Sequence, residues 1–309
     1  MTTVTEPSRT DLARQLAIRT AAGASQVPTR LVEPPAALRP WISDVGVTVP
    51  TAEGPRSAAH MPDAAVRLVL RTRPGGGSDV MVVGPRTRAV YSTGKRLPLC
   101  LDLRIRPGAA RPLLGVPARE VVGRTVPLAE LPGPLTGGMS RALGDLGGDA
   151  TEDEVLAALA RLLPGAFASP APVDRSRGAL LRAAVDALSA HPDRPRRATV
   201  TEVARELAVS ERQLRNLFTD GIGVSPKHFA RIERARQLLA GAVEREPAQV
   251  PWAGLAQATG YYDQSHMAAE FRALFGVAPT AFVSGRLPAA TPCTAGSALD
   301  ATSRAVNGS

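Results

Sequence analysis

The chain has 309 residues, enough for two ordinary domains that each bury a core without metal or disulfide support. Its two cysteines, Cys100 and Cys293, are too few and too far apart for a disulfide scaffold or a metal-ligand cluster, which fits a reduced, cytosolic setting; no leader pattern and no long uninterrupted apolar stretch points to export or a membrane. The net charge of +9 suits a polyanion such as nucleic acid, yet residues 1–178 hold 22 basic and 16 acidic groups and residues 179–309 hold 15 and 12, so charge alone does not locate a binding domain.

Residues 1–30 are polar without a sustained period and are read as a flexible tail with one short helix in DLARQLAIRTA. From Leu31 to about Leu131 the texture changes to short apolar runs broken by proline and glycine. Val66, Leu68 and Leu70 alternate with Arg67, Val69 and Arg71, while Leu101, Leu103 and Ile105 alternate with Asp102, Arg104 and Arg106. A period of two predicts antiparallel strands with one buried face, and the run from Gly75 to Asp79 suits a hairpin turn. Near Ala110 the pattern turns helical, and Thr151 with Glu154 forms a capping box that opens the helix TEDEVLAALARLL. These features predict a β-rich domain over 31–165, cupin-like or a small barrel, ending in helices. A proline-rich linker follows at 166–177. Residues 178–286 read as helical almost throughout, and 287–309 as a disordered tail. The fold class is therefore α+β multidomain, a β-rich domain followed by an all-α one.

Within the helical region one unit occurs twice. SERQLRNLFTDGIGVSPKHF, from Ser210, aligns without a gap on DQSHMAAEFRALFGVAPTAF, from Asp263, at an offset of 53 residues. Leu214 falls on Met267, Phe218 on Phe271, Gly223 on Gly276, Pro226 on Pro279 and Phe229 on Phe282. Thr199 with Glu202, and Ser210 with Gln213, have the spacing of capping boxes; Gly260 stops one helix and Asp263 caps the next. Each copy thus predicts a helix, a tight turn and a second helix with an inward apolar stripe: Leu214, Leu217 and Phe218 in one, Met267, Phe271 and Leu274 in the other. Ser225-Pro226 opens a long helix between them. Two such motifs on one rigid helix can present their second helices to successive major grooves, which recur at roughly 34 Å.

The pattern A-x-x-L-x-x-S-x-R-x-L-x-x-x-F, then G-x-S-P-x-x-F, then G-Y-Y-D-Q-S-H-M-x-x-E-F-R-x-x-F-G-x-x-P-x-x-F resembles the AraC/XylS family of bacterial transcription regulators over about residues 178–286. The β-rich region resembles, more loosely, the N-terminal domain of some members. The resemblance implies a cytoplasmic regulator that binds double-stranded DNA through two helix-turn-helix motifs, with RNA polymerase as a further partner. It leaves two roles for the first domain: binding a small-molecule effector, or only forming a homodimer or docking a partner. An effector would be sought among Asp63, Arg67, Tyr91, Asp102 and Arg104, although Asp102 and Arg104 share a strand face that also suits solvent.

With the inward stripe assigned, Arg212, Arg215, Asn216 and Thr219 of the first motif and Gln264, Ser265, His266 and Arg272 of the second face outward. Arg212 and Asn216, one turn apart, suit guanine and adenine edges, each good bidentate pair giving about 1–3 kcal/mol of discrimination. Arg215 and Arg272 suit phosphates. Members of the family often carry arginine where this chain has Asn216 and Ala269, so its second motif would bind weakly or rely on Gln264, Ser265 and His266 alone. Tyr261 and Tyr262 are expected to pack the turn.

Enzymatic readings find little support. His60, His191, His228 and His266 have no carboxylate or cysteine partners at metal-ligand spacing, so no metal or cofactor is expected. There is no G-x-S-x-G, and PGGGSD lacks the lysine of a phosphate loop. A DNA-repair methyl-accepting protein, the remaining alternative, would need a reactive-cysteine motif that Cys100 does not supply.

Overall fold

The computed structural model describes residues 29–48, 57–72, 78–93, 99–134, 138–139, 141–142, 146, 150–167, 172–189 and 197–291. The N-terminal tail through 28, the turn at 73–77, the centre of the linker at 168–171 and the tail from 292 lie outside the described residues.

Among the described residues the first half has eight strands: β1 (Thr29–Val32), β2 (Ile42–Thr48), β3 (Ser57–His60), β4 (Arg67–Thr72), β5 (Ser78–Val83), β6 (Val90–Thr93), β7 (Cys100–Ile105) and β8 (Thr125–Pro127). Six pair antiparallel in the order β1-β2-β7-β4-β5-β8, while β3 and β6 form a separate ribbon. The sheet is open, ending at β1 and β8, so the closed barrel among the expected architectures does not form among the described residues. The alternation seen in the sequence is the cause of the two faces. Leu68 and Leu70 of β4 and Leu101, Leu103 and Ile105 of β7 are almost fully buried, while Asp102 and Arg104 lie on the opposite face.

Helices α1 (Ala110–Leu114) and α2 (Glu152–Phe167) supply Leu113, Leu114, Val155, Leu159 and Leu163 to the apolar core of the sheet. Each such side chain contributes about 1.5–3 kcal/mol by leaving water. The expected capping box opens α2: Thr151 N–H donates to Glu154 Oε2 at 2.8 Å, and Glu154 N–H donates to Thr151 Oγ1 at 3.4 Å.

The second half contains α3 (Pro172–Leu188), α4 (Val200–Glu206), α5 (Glu211–Gly221), α6 (Pro226–Val243), α7 (Trp252–Ala258), α8 (Gln264–Phe275) and α9 (Pro279–Val283). Helix α3 thus begins inside the expected linker. Thr291, within the expected tail, lies beside β6, where Thr93 N–H donates to its carbonyl at 2.9 Å.

The two halves share a core. Ala59, Met61 and Ala64, which flank or belong to β3, pack in the cluster that holds Phe218, Phe229, Ile232 and Phe271. Gly223 makes a second close approach. Its φ of +94° favours glycine, and a Cβ there would fall 2.6 Å from Val122 Cγ2 and 3.0 Å from the Ala118 carbonyl oxygen.

Candidate nucleic-acid interface

Helices α4 and α5, and again α7 and α8, form the two helix-turn-helix units, with α6 between them. Local chemistry sets the start of each second helix. Ser210 Oγ accepts from Gln213 N–H at 3.1 Å while Gln213 Oε1 accepts from Ser210 N–H at 2.8 Å, and Asp263 Oδ1 accepts from His266 N–H at 2.7 Å. Pro226 and Pro279 both stand in the first turn of the following helix. The aromatic pairs also repeat: Phe218 meets Phe229 edge-on at 5.5 Å, and Phe271 meets Phe282 edge-on at 5.7 Å.

The turns differ by one residue. Val209 N–H donates to the Ala204 carbonyl, and Tyr261 N–H to the Ala256 carbonyl, an offset of 52 that becomes 53 at Ser210 and Asp263. The extra residue is Tyr262. It is 91% exposed, so of the two tyrosines expected to pack this turn only Tyr261 does.

Outward from these cores lie the residues predicted to touch DNA. Arg212, Arg215 and Asn216 are exposed on α5; Thr219 is half-buried, its hydroxyl donating to the Arg215 carbonyl at 2.8 Å. Gln264, Ser265, His266, Ala269 and Arg272 are exposed on α8. His266 has a double role in the geometry, with its backbone in the Asp263 cap and its ring edge-on to Tyr261 at 5.6 Å.

Helix α8 is tied to α6 by Glu270, which is buried on the inner side of α8. Arg231 Nε donates to its Oε2 at 3.0 Å, and Arg234 donates to both oxygens at 2.8 and 2.9 Å. The Arg234 guanidinium also stacks 4.5 Å from the Tyr261 ring centre. Burial and the Glu270 carboxylate push the Tyr261 hydroxyl well above its ordinary range. Lys227, Arg231 and Arg234 share one helical face and line a cleft of about 880 Å³ beside His266 and Ala269. These basic residues are absent from the set expected from the sequence. Their spacing of four and three residues along α6 is the signal that could have found them.

The polar residues expected in the first domain are brought together, except Tyr91. Arg67 lies directly opposite Arg104 across β4 and β7, an unfavourable pairing that carboxylates offset. Asp63 accepts from Arg67 Nε at 3.0 Å and lies 2.9 Å from Arg104; Asp102 accepts from Arg67 at 2.9 Å. Arg236 of α6 joins them, donating to the Pro62 carbonyl at 3.1 Å and lying 3.9 Å from Asp63. Burial opposes ionisation of Asp63, but Arg104, Arg67 and Arg236 outweigh it and hold the carboxyl far below its usual range. Tyr91 stands apart. Its hydroxyl donates to the Phe275 carbonyl at 2.7 Å, at the end of α8, and burial pushes its pKa up to about 12. Ala89 N–H donates to the neighbouring Leu274 carbonyl at 2.8 Å.

The fold and this surface define a two-part chain whose C-terminal part is a double helix-turn-helix module. Residues 203–285 match the family model of a helix-turn-helix domain. A stretch of 101 residues is 33% identical to the "Probable thc operon regulatory protein" of Rhodococcus erythropolis; it covers 33% of this chain and 30% of that relative. The chain thus matches about a third of the relative's length. Among solved structures it is similar to ToxT from Vibrio cholerae, at 9% identity and a TM-score of 0.39, with 78% of this chain and 96% of that chain covered. An apo ToxT variant gives 12% identity, a TM-score of 0.40, and coverage of 78% and 97%. Among the described residues no helix is long and apolar enough to cross a membrane, and no cluster of potential metal ligands occurs.

Proposed function

We propose that this chain is a cytoplasmic, sequence-specific regulator of transcription that grips double-stranded DNA with α5 and α8. The observation that carries the reading is the duplicated unit itself: two capped helices with exposed polar faces, joined by the 18-residue α6, whose length of about 27 Å suits adjacent major grooves. Arg212 and Asn216 read base edges on the first groove, and Gln264, Ser265 and His266 on the second. Arg215, Thr219 and Arg272 hold phosphates. The basic face of Lys227 and Arg231 supports the backbone between the two readers.

In this reading the first domain controls how the readers are presented. Asp63, Arg67, Asp102 and Arg104 pair with one another, Asp63 also faces Arg236, and the Tyr91 hydroxyl bonds the end of α8, so they serve as couplers between the halves. An effector, a homodimer contact or RNA polymerase would act through that junction. Selection of randomised duplex DNA by the full chain at fixed salt tests the reading. Enrichment of two elements about one helical turn apart is expected; binding without any sequence preference would contradict it.

A further inference from the structure

Between the sheet and the first helix-turn-helix unit lies a cavity of about 230 Å³. Val66, Ile105 and Ala110 line it from the first half, and Val185, Ile222 and Phe229 from the second. An apolar cavity of about 150 Å³ suffices for benzene, so this one suits a single ring with a short polar arm. Among the described residues its wall has four charged ones, Asp44, Arg104, Arg106 and Glu233. Three have hydrogen bonds or ion pairs of ordinary length. Asp44 Oδ2 accepts from Ser43 Oγ at 2.8 Å, Arg104 lies 2.9 Å from Asp63, and Arg106 Nε donates to the Arg39 carbonyl at 2.6 Å. Glu233 differs. Its Oε1 is buried without a hydrogen-bond partner among the described residues, and Arg236 Nε approaches it only to 3.9 Å.

We propose that this cavity is an effector site for a one-ring, largely apolar molecule that presents an N–H donor, preferably cationic, to Glu233. The proposal rests on the reading of the chain as a DNA-binding regulator and gives its control a place and a chemistry. A buried carboxylate oxygen that no N–H reaches at hydrogen-bond distance is destabilising, and a ligand donor relieves this. An anionic ligand is disfavoured because the guanidinium groups on the wall are engaged and two carboxylates share the wall. Gly221 and Ile222, which also line the site, end the first reader helix α5, so an occupant touches both the sheet and that helix. Any difference in its affinity between two arrangements of the halves shifts their populations.

The test uses the full chain with benzylamine, toluene and benzoate as probes, read by calorimetric titration and by the melting temperature. Benzylamine is expected to bind saturably and raise the melting temperature, toluene to bind more weakly, and benzoate not to bind. Glu233→Gln should weaken benzylamine at least about tenfold with toluene unchanged. Ala65→Leu, which fills the wall, should abolish binding in a chain that still melts cooperatively. The proposal is overturned if no probe binds the unmodified chain, if benzoate binds as well as benzylamine, or if Glu233→Gln leaves benzylamine affinity intact. DNA selection by the ligand-free chain is measured in parallel. Selection without probe binding sinks the cavity proposal and leaves the regulator reading; probe binding without selection supports a ligand site but removes its regulatory use.

Discussion

Arg236 and Asp63, 173 positions apart in the chain, meet across the boundary between α6 and the sheet, with Arg236 Nη1 3.9 Å from Asp63 Oδ2. Both are almost fully buried, Arg236 at 3% and Asp63 at 4% exposure. Burial lowers the Arg236 pKa, so its charge is held there against a desolvation cost that Asp63 offsets. Arg236→Ala would leave the Pro62 carbonyl without its donor and open space against the sheet. Loss of about 2–4 kcal/mol in urea unfolding is expected, by analogy with other broken buried pairs. A change under about 0.5 kcal/mol would show that the junction contributes nothing to stability.

Glu270 is the corresponding coupler inside the DNA-binding module. Glu270→Ala strands two guanidinium groups, Arg231 and Arg234, beside the buried side of α8. Destabilisation of about 2–4 kcal/mol follows, and the second half of the selected DNA site should weaken more than the first. Equal loss of both halves in a selection experiment would mean that Glu270 does not set the orientation of α8.

How far these features could be read in advance depended on their range. The capping pairs Thr151–Glu154, Thr199–Glu202 and Ser210–Gln213 are all present because a cap is decided within four residues. The alternation in β7 showed which residues face the core, since pleating is equally local, whereas β4 is buried on both faces, with Arg67 and Arg71 held in ion pairs rather than left to solvent. The order of the sheet was not legible. Strand β7 inserts between β2 and β4, a choice made by contacts remote in sequence. For the same reason Asp63, Arg67, Asp102 and Arg104 could be picked out as polar, but Arg236, which meets Asp63 from α6, could not. Tyr262 was misjudged because the second turn has one residue more than the first, a difference visible only in the backbone hydrogen bonds.

Among the exposed residues of α5 and α8, the base-reading and phosphate-binding roles proposed above predict different outcomes. Arg212→Ala should relax preference at one base position, costing about 1–3 kcal/mol on the selected site and little on random duplex. Arg272→Ala should weaken all sequences alike and reduce the slope of log affinity against log salt by about one. Titrations of both variants on selected and random duplex at several salt concentrations decide the matter. Equal losses on the two duplexes for Arg212→Ala would remove it from the base readers.

Stability should fall in two steps as pH decreases. His228, near the start of α6, is lowered from its ordinary 6.5 by burial and by Arg231. Below about pH 6.5 the unfolded chain therefore binds a proton that the folded chain does not, and stability drops until the folded pKa is passed. Asp63 acts in the same direction at lower pH. Its folded pKa lies far below the ordinary 3.8 because three guanidinium groups outweigh its burial, so its contribution is present above about pH 4 and lost below. Urea midpoints between pH 8 and 3 should show both declines. His228→Gln should flatten the first and spare the second, whereas Asp63→Asn should weaken the protein at neutral pH and reduce the second. If His228→Gln left the slope between pH 7 and 5 unchanged, that slope would belong to other groups.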